Sequence, residues 1–156
     1  MANIAKIKKM CISNGEGLRT AVFFSGCPHH CENCFNQELW DSNYGIPYSE
    51  KIEKVIFNTI NEHIDGLSIL GGEPLSDYNY QTVLQLCKHF KINFPNNTIW
   101  LWTGYTIEEL KKYDKIEILS YIDTLIDGKF IQDLYDYNLK WRGSSNQRIL
   151  KKGKDF

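Results

Sequence analysis

Four short apolar runs punctuate the chain, and each stops at a glycine. Leu18–Phe24 ends in Ser25-Gly26, Leu67–Leu70 in Gly71-Gly72, Thr98–Trp102 in Thr103-Gly104, and Thr124–Ile126 in Asp127-Gly128. The runs are rich in β-branched and aromatic residues, the pattern of strands covered on both faces. Helical periodicity fills the intervals. Ser49 is placed to cap a helix with Ile52, Val55, Ile56 and Ile60 on one stripe. Ser76 or Asp77 is placed to cap a second, with Val83, Leu84, Cys87 and Phe90 inward. Thr106 and Glu109 have capping-box spacing, Leu110 follows, and Lys111 and Lys112 suit a helix C-terminus. Strands alternating with helices predict βαβ units, a mostly parallel sheet and an α/β fold. Right-handed crossovers put all four strand ends on one edge, where sites in such sheets are built. The tail reads as an ordered loop, Trp141–Asn146, and a short final strand over Gln147–Leu150. Lys151, Lys152 and Lys154 then form a solvated basic end.

Length narrows the architecture. A chain of 156 residues suits one domain over residues 1–156. A complete eightfold barrel usually takes about 250 residues. Four clear β/α units, with five or six strands in all, predict an open partial (β/α) barrel with a gap in its side. Hydrophobic residues at 42% and charged residues at 24% exclude wholesale disorder. The formal net charge of -1 offers no basic field for nucleic acid. No apolar run approaches the roughly 20 residues of a membrane span. The first six residues carry no apolar signal region, which points to a cytoplasmic protein.

The chemistry concentrates in the cysteines, five in number, at positions 11, 27, 31, 34 and 87. An odd count in a chain read as cytoplasmic argues against a disulfide framework. Three of the five lie in Cys27-Pro28-His29-His30-Cys31-Glu32-Asn33-Cys34, directly after the first strand. Ordinary four-iron clusters take four cysteines. Three thiolates on one tight loop would bind three corners of a cubane and leave one iron open to a ligand. A structural zinc site is the alternative, with His29, His30 or His63 as fourth ligand. His29 and His30 otherwise read as solvated loop residues. Cys11 and Cys87 read as core residues, Cys87 lying on an apolar helix stripe.

The Cys-x3-Cys-x2-Cys loop, with Gly71-Gly72-Glu73-Pro74 at the end of the second run, resembles the radical S-adenosylmethionine superfamily. Further segments narrow the match: Asn14-Gly15-Glu16-Gly17-Leu18-Arg19, Cys34-Phe35-Asn36, Trp100-Leu101-Trp102-Thr103-Gly104-Tyr105, Ile126-Asp127-Gly128-Lys129-Phe130 and Trp141-Arg142-Gly143-Ser144-Ser145-Asn146-Gln147. Together they are similar to the glycyl-radical-activating branch whose substrate is the oxygen-sensitive class of ribonucleoside-triphosphate reductase. The resemblance implies an oxidoreductase with one [4Fe-4S] cluster on Cys27, Cys31 and Cys34. It implies S-adenosyl-L-methionine held by Gly71, Gly72 and Glu73, with Thr103 and Asp127 at neighbouring strand ends. Superfamily members often carry an aromatic residue just before the third cysteine. Asn33 stands there, so the adenine contact is expected from backbone around Asn33, Cys34 and Phe35. The implied reaction is one-electron cleavage of the sulfonium to methionine and a 5′-deoxyadenosyl radical, which takes hydrogen from a glycine Cα.

The implied partners are the reductase large subunit as protein substrate and a flavodoxin-type electron donor. An open barrel whose lid comes from another protein agrees with this, and Trp141 and Arg142 are candidate contacts, Trp141 equally a packing residue against the sheet edge. The rival readings are an activator of another glycyl-radical enzyme, a small-molecule radical enzyme such as a deazapurine carboxylate synthase, and a zinc-stabilised binding module. Replacing Cys27, Cys31 or Cys34 by Ala is expected to abolish S-adenosylmethionine cleavage, measured as released methionine. Cys87→Ala is expected to leave it largely intact.

Overall fold

The computed structural model describes residues 2–156. One open sheet runs through the molecule, from β1 (Asn3–Cys11), β2 (Arg19–Phe24) and β3 (Ile46–Pro47) to β4 (Gly66–Gly71), β5 (Thr98–Trp102), β6 (Thr124–Asp127) and β7 (Arg148–Lys151). Its order is β3-β1-β2-β4-β5-β6-β7. The four strands expected from the apolar runs are its parallel centre, in chain order. The flanks β3, β1 and β7 are all antiparallel to their neighbours. The sheet is therefore mixed, more so than the repeated βαβ pattern suggested.

The two flanking strands on the N-terminal side went unread for a physical reason. In β1, Ile4 and Cys11 are buried while most of the lysine-rich stretch between them is exposed. A half-solvated antiparallel strand with register breaks presents no continuous apolar run. The two-residue β3 is exposed and carries no pattern at all.

Three helices, α1 (Glu50–Asn58), α2 (Tyr80–Asn93) and α3 (Ile107–Lys112), cover the parallel centre. Ser49 caps α1, its hydroxyl accepting from the Ile52 amide at 3.3 Å. Val55 is exposed rather than inward, and Ile56 alone of that stripe is fully buried. In α2 the N-cap is Asn79, not Ser76 or Asp77. Residues 76–79 instead form a turn, with the Ser76 carbonyl accepting from the Asn79 and Tyr80 amides. The Asn79 side chain ties that turn to β2 and β4, donating to the Ser25 and Glu73 carbonyls at 2.8 and 3.0 Å. In α3 the capping box forms as its spacing predicts. The core packs Val22, Phe24, Leu67, Ile69, Ile99, Leu101 and Leu125 of the sheet against Val83, Leu86, Cys87 and Phe90 of α2.

Arg19 braces the N-terminal edge. Its side chain is buried and spends every nitrogen across the sheet: Nε on Ser68, Nη1 on Thr98 Oγ1 and the Glu16 carbonyl, Nη2 on the Leu67 and Thr98 carbonyls. Burial draws its pKa down to about 10, against the pull of Asp65, Asp123 and Glu16.

A second charge is fixed at the opposite edge. Asp127 at the end of β6 is fully buried and accepts from Arg148 of β7 and from the Ile107 amide that opens α3. The ion pair with β7 and the first turn of α3 thus share one carboxylate. Replacing Arg148 by Met leaves that carboxylate with a single donor. Because 43% of the Arg148 side chain is exposed, the expected loss is about 2 kcal/mol, below the 3–5 kcal/mol of a fully buried pair. Urea denaturation measures it, and the Asp127→Asn/Arg148→Met double variant should lose less than the sum of the singles.

Candidate functional site

All four parallel strands deliver their C-terminal ends to one cleft of about 480 Å³, a size typical of small-molecule sites. Cys27 follows β2, Gly71, Gly72 and Glu73 end β4, Thr103 and Gly104 follow β5, and Gly128 follows β6; every one lines the cleft. Cys31 and Cys34 join the same wall, with Phe35, Phe130, Trp102 and Trp141.

The glycines answer first to packing. Gly71 has φ +123°, and a Cβ there would collide with the backbone of Phe24. A Cβ on Gly72 would stand 2.5 Å from the Gly26 carbonyl oxygen and 2.7 Å from that of Leu39. The end of β4 is therefore pressed onto the start of the cysteine loop, where the Gly72 and Glu73 amides donate to the Phe24 and Gly26 carbonyls at 2.8 and 2.7 Å.

Glu73 is the hub of the wall. Its side chain is fully buried. Oε1 accepts from the Leu75 amide at 2.9 Å and from Thr103 Oγ1 at 2.7 Å. Oε2 accepts from the Gly104 amide and from His29 Nε2, both at 2.7 Å. Four donors use the four good lone-pair directions of a carboxylate. In the structure all four of these positions on the Glu73 carboxylate are taken by groups of the protein, Thr103 among them.

The loop between the cysteines is shaped by left-handed residues, His30 at φ 47° and Asn33 at φ 55°. His29 is not a solvated loop residue. Its side chain is 6% exposed and meets the edge of Tyr105 with ring centroids 4.6 Å apart. His30 stacks on Trp40 at 4.4 Å. Asn33 is exposed and lies off the cleft wall. Phe35 reaches over it, packing on Phe130 at 5.1 Å and Tyr135 at 5.8 Å. Asp127 faces α3 and β7 and does not line the cleft. Trp141 packs edge-on against Trp100 at 5.7 Å, and its carbonyl accepts from Trp102 Nε1 at 2.6 Å, while it also lines the cleft.

The Trp141–Gln147 segment is a clip closed by its own hydrogen bonds. Gln147 Oε1 accepts from the Gly143 and Ser144 amides, its Nε2 donates to the Gly128 carbonyl, and Arg142 Nη1 donates to the Gln147 carbonyl. This clip fastens the far wall of the cleft to the end of β6.

The similarity to known proteins runs through all these parts. A family model described as a 4Fe-4S single cluster domain matches residues 13–150. An anaerobic ribonucleoside-triphosphate reductase-activating protein of Vibrio cholerae is 45% identical over 141 residues, 88% of this chain and 90% of that protein. The protein of the same name from Haemophilus influenzae is 43% identical over the same shares. That of Enterobacteria phage T4 is 39% identical over 137 residues, 87% of this chain and 85% of the phage protein. The chain belongs to the anaerobic ribonucleoside-triphosphate reductase-activating protein family. Its matched span carries a 4Fe-4S cluster domain.

The donor set fits such a cluster. Three thiols, none in a disulfide, share the cleft wall. The Asn36 amide donates to Cys34 Sγ at 3.4 Å. Amide donors of this kind stabilise thiolates and cluster sulfurs. Among the described residues no three His, Cys, Asp or Glu side chains converge on one point as a mononuclear metal ion requires.

Sequence reasoning passed over Ser13, Asn14, Phe130, Tyr135 and Gly143 as cleft residues. Asn14, Phe130 and Gly143 stand in segments that carry the resemblance, but only the pairing of distant segments brings all five to the cleft. Burial pushes the Cys27 thiol up to about 11, and it pushes Cys31 upward too, reinforced by Cys34. In the folded, cluster-free chain at pH 8, iodoacetamide is expected to modify the half-buried Cys31 and Cys34 before the buried Cys27, with Cys87, fully buried and its thiol pushed up by that burial, slowest. Mass spectrometry reads the order, and denaturation should erase it.

Proposed function

We propose that this chain is the activating oxidoreductase of an anaerobic ribonucleoside-triphosphate reductase, working by reductive cleavage of S-adenosyl-L-methionine within one radical S-adenosylmethionine domain of open partial-barrel form. The observation that carries the proposal is the convergence of the three cysteines and the glycine end of β4 on one cleft at the sheet's C-terminal edge. Cys27, Cys31 and Cys34 would hold three irons of the cluster. When bound, the cluster supplies the single electron that splits the sulfonium into methionine and a 5′-deoxyadenosyl radical, the species that takes hydrogen from a glycine Cα of the reductase.

The chain's own groups bind and enclose. The Gly71-Gly72 backbone would receive the methionine end, with Glu73 and Thr103 keeping that backbone in place. Backbone at Cys34 and Phe35, which line the cleft where Asn33 does not, would lie along the adenine, and the Phe130 and Trp102 rings would shield the reacting face. Asp127 would act indirectly, keeping Gly128 at the cleft through its ties to Arg148 and α3.

The protein substrate suits the rim. Phe35 at 66% and Tyr137 at 80% exposure leave large rings bare at the mouth, beside half-exposed Tyr135. Exposed aromatic surface of this kind marks interaction sites. The reductase's glycine-bearing segment would cover these rings and complete the lid. A flavodoxin-type protein would bring the electron. Free thiols in the cleft suit a cytoplasmic setting; among the described residues no helix is long and apolar enough to cross a membrane.

The test is anaerobic reconstitution with iron and sulfide, dithionite reduction, and chromatography with and without the candidate reductase. The expected products are methionine and 5′-deoxyadenosine, with a glycyl-radical doublet appearing in the larger partner by electron paramagnetic resonance. One zinc per chain without sulfide would overturn the proposal in favour of a binding module. Cleavage without a doublet would transfer it to another substrate.

A further inference from the structure

We infer that Arg142 holds the reductase's glycine-bearing segment in the cleft, its guanidinium donating to main-chain carbonyl oxygens of that segment. The inference rests on the function just proposed and states how its protein substrate is gripped.

Arg142 is the one Lys or Arg among the described residues that line the cleft. Little of it is engaged by the protein. Its single side-chain hydrogen bond among the described residues runs from Nη1 to the Gln147 carbonyl at 2.6 Å. Arg148 pairs with Asp127 and Glu108, whereas Arg142 pairs with no carboxylate among the described residues. Its Nε is buried and has no partner. A guanidinium carries five donors in a rigid fork, and a buried donor without an acceptor is costly. The protein retains that cost at the wall of a cleft, where an arriving acceptor removes it.

Position selects the occupant. Nη1 is fixed to Gln147, whose side chain donates to the Gly128 carbonyl at 3.0 Å, at the end of β6. β6 stands two strands from β4, about 10 Å at the usual strand spacing. The methionine end of S-adenosylmethionine is assigned to β4, so the guanidinium serves the other occupant. On the outer side, a Cβ on Gly143 would lie 3.0 Å from Phe130 and 3.1 Å from Phe35. The Asp136 amide donates to the Gly143 carbonyl at 3.1 Å. Arg142 thus stands between the bare rings of the rim and the cleft interior, where an incoming segment passes.

Charge selects the acceptor. Asp136 and the three cysteines line the same cleft, and an acidic side chain would be repelled by that carboxylate and by thiolates bound to iron. A peptide carbonyl is neutral and offers two lone pairs. Main-chain contact also suits a glycine, which has no side chain to grip.

The experiment compares wild type, Arg142→Met and Arg142→Lys after anaerobic reconstitution to equal iron and sulfide content. Each is reduced with dithionite and incubated with S-adenosylmethionine and the candidate reductase. The readout is coupling: glycyl-radical spins in the reductase, by electron paramagnetic resonance, per 5′-deoxyadenosine released. Arg142→Met is expected to lower coupling about tenfold, the scale of one lost charge-assisted hydrogen bond. Arg142→Lys keeps a cation and a donor for the Gln147 carbonyl but lacks the fork, and is expected to recover only part of the coupling. Wild-type coupling in Arg142→Met overturns the inference. So does wild-type coupling in Arg142→Lys, which would leave Arg142 only the task of fastening the clip; this variant decides if Arg142→Met takes up no cluster. A loss of S-adenosylmethionine affinity of about tenfold in equilibrium dialysis would assign the guanidinium to the methionine carboxylate and overturn it as well. The wild-type to Arg142→Met ratio of affinity for the reductase is expected to be equal at about 0.1 M and about 1 M salt, although screening is far stronger at the higher. A ratio that collapses with salt would name a carboxylate as the acceptor and overturn the carbonyl assignment. Wild type that releases no 5′-deoxyadenosine would instead sink the underlying function.

Discussion

The site depends on one buried carboxylate. Glu73 accepts four hydrogen bonds from three separate stretches of chain: the cysteine loop, the turn after β4 and the end of β5. A buried acidic group left without partners would cost several kcal/mol. Here each donor offsets part of that penalty, and the penalty in turn makes every donor's position matter. Losing one partner leaves charge unmatched in a dry wall, so the strand ends and the loop hold together or loosen together.

Close backbone approach completes the arrangement. Gly71 and Gly72 let β4 meet the Phe24–Gly26 stretch without an intervening side chain. Gly104 makes the matching allowance for the His29 ring. All three glycines line the cleft. The missing Cβ atoms that let the wall pack also leave its backbone bare to the cleft.

The sheet's open form and the bare aromatic rim belong to the same account. With β3 and β7 as its ends, the sheet leaves one side of the cleft to the loop bearing Phe130 and Tyr135 and to the Trp141–Gln147 clip. An enzyme that sealed its own site would need more chain. One that acts on a segment of another protein can leave its rings exposed until that segment arrives.

The parallel centre, the three helices and the cysteine loop were legible in the sequence because each is written locally. Apolar runs ending at glycine mark buried strands, Thr106 and Glu109 mark a helix start, and cysteine spacing marks a metal loop. The half-solvated β1 and the exposed β3 were not legible, since neither presents a repeating apolar face. Nor were the partners of charged groups. Glu73 and Asp127 stood next to the right motifs, yet contact decided what their oxygens do: Glu73 serves His29, 44 residues away, and Asp127 serves Arg148, 21 residues away. Local chemistry sets which residue types can bind a cluster or end a strand. Which lone pair remains free for a ligand depends on three-dimensional neighbours, because a hydrogen bond is satisfied by proximity and not by order along the chain.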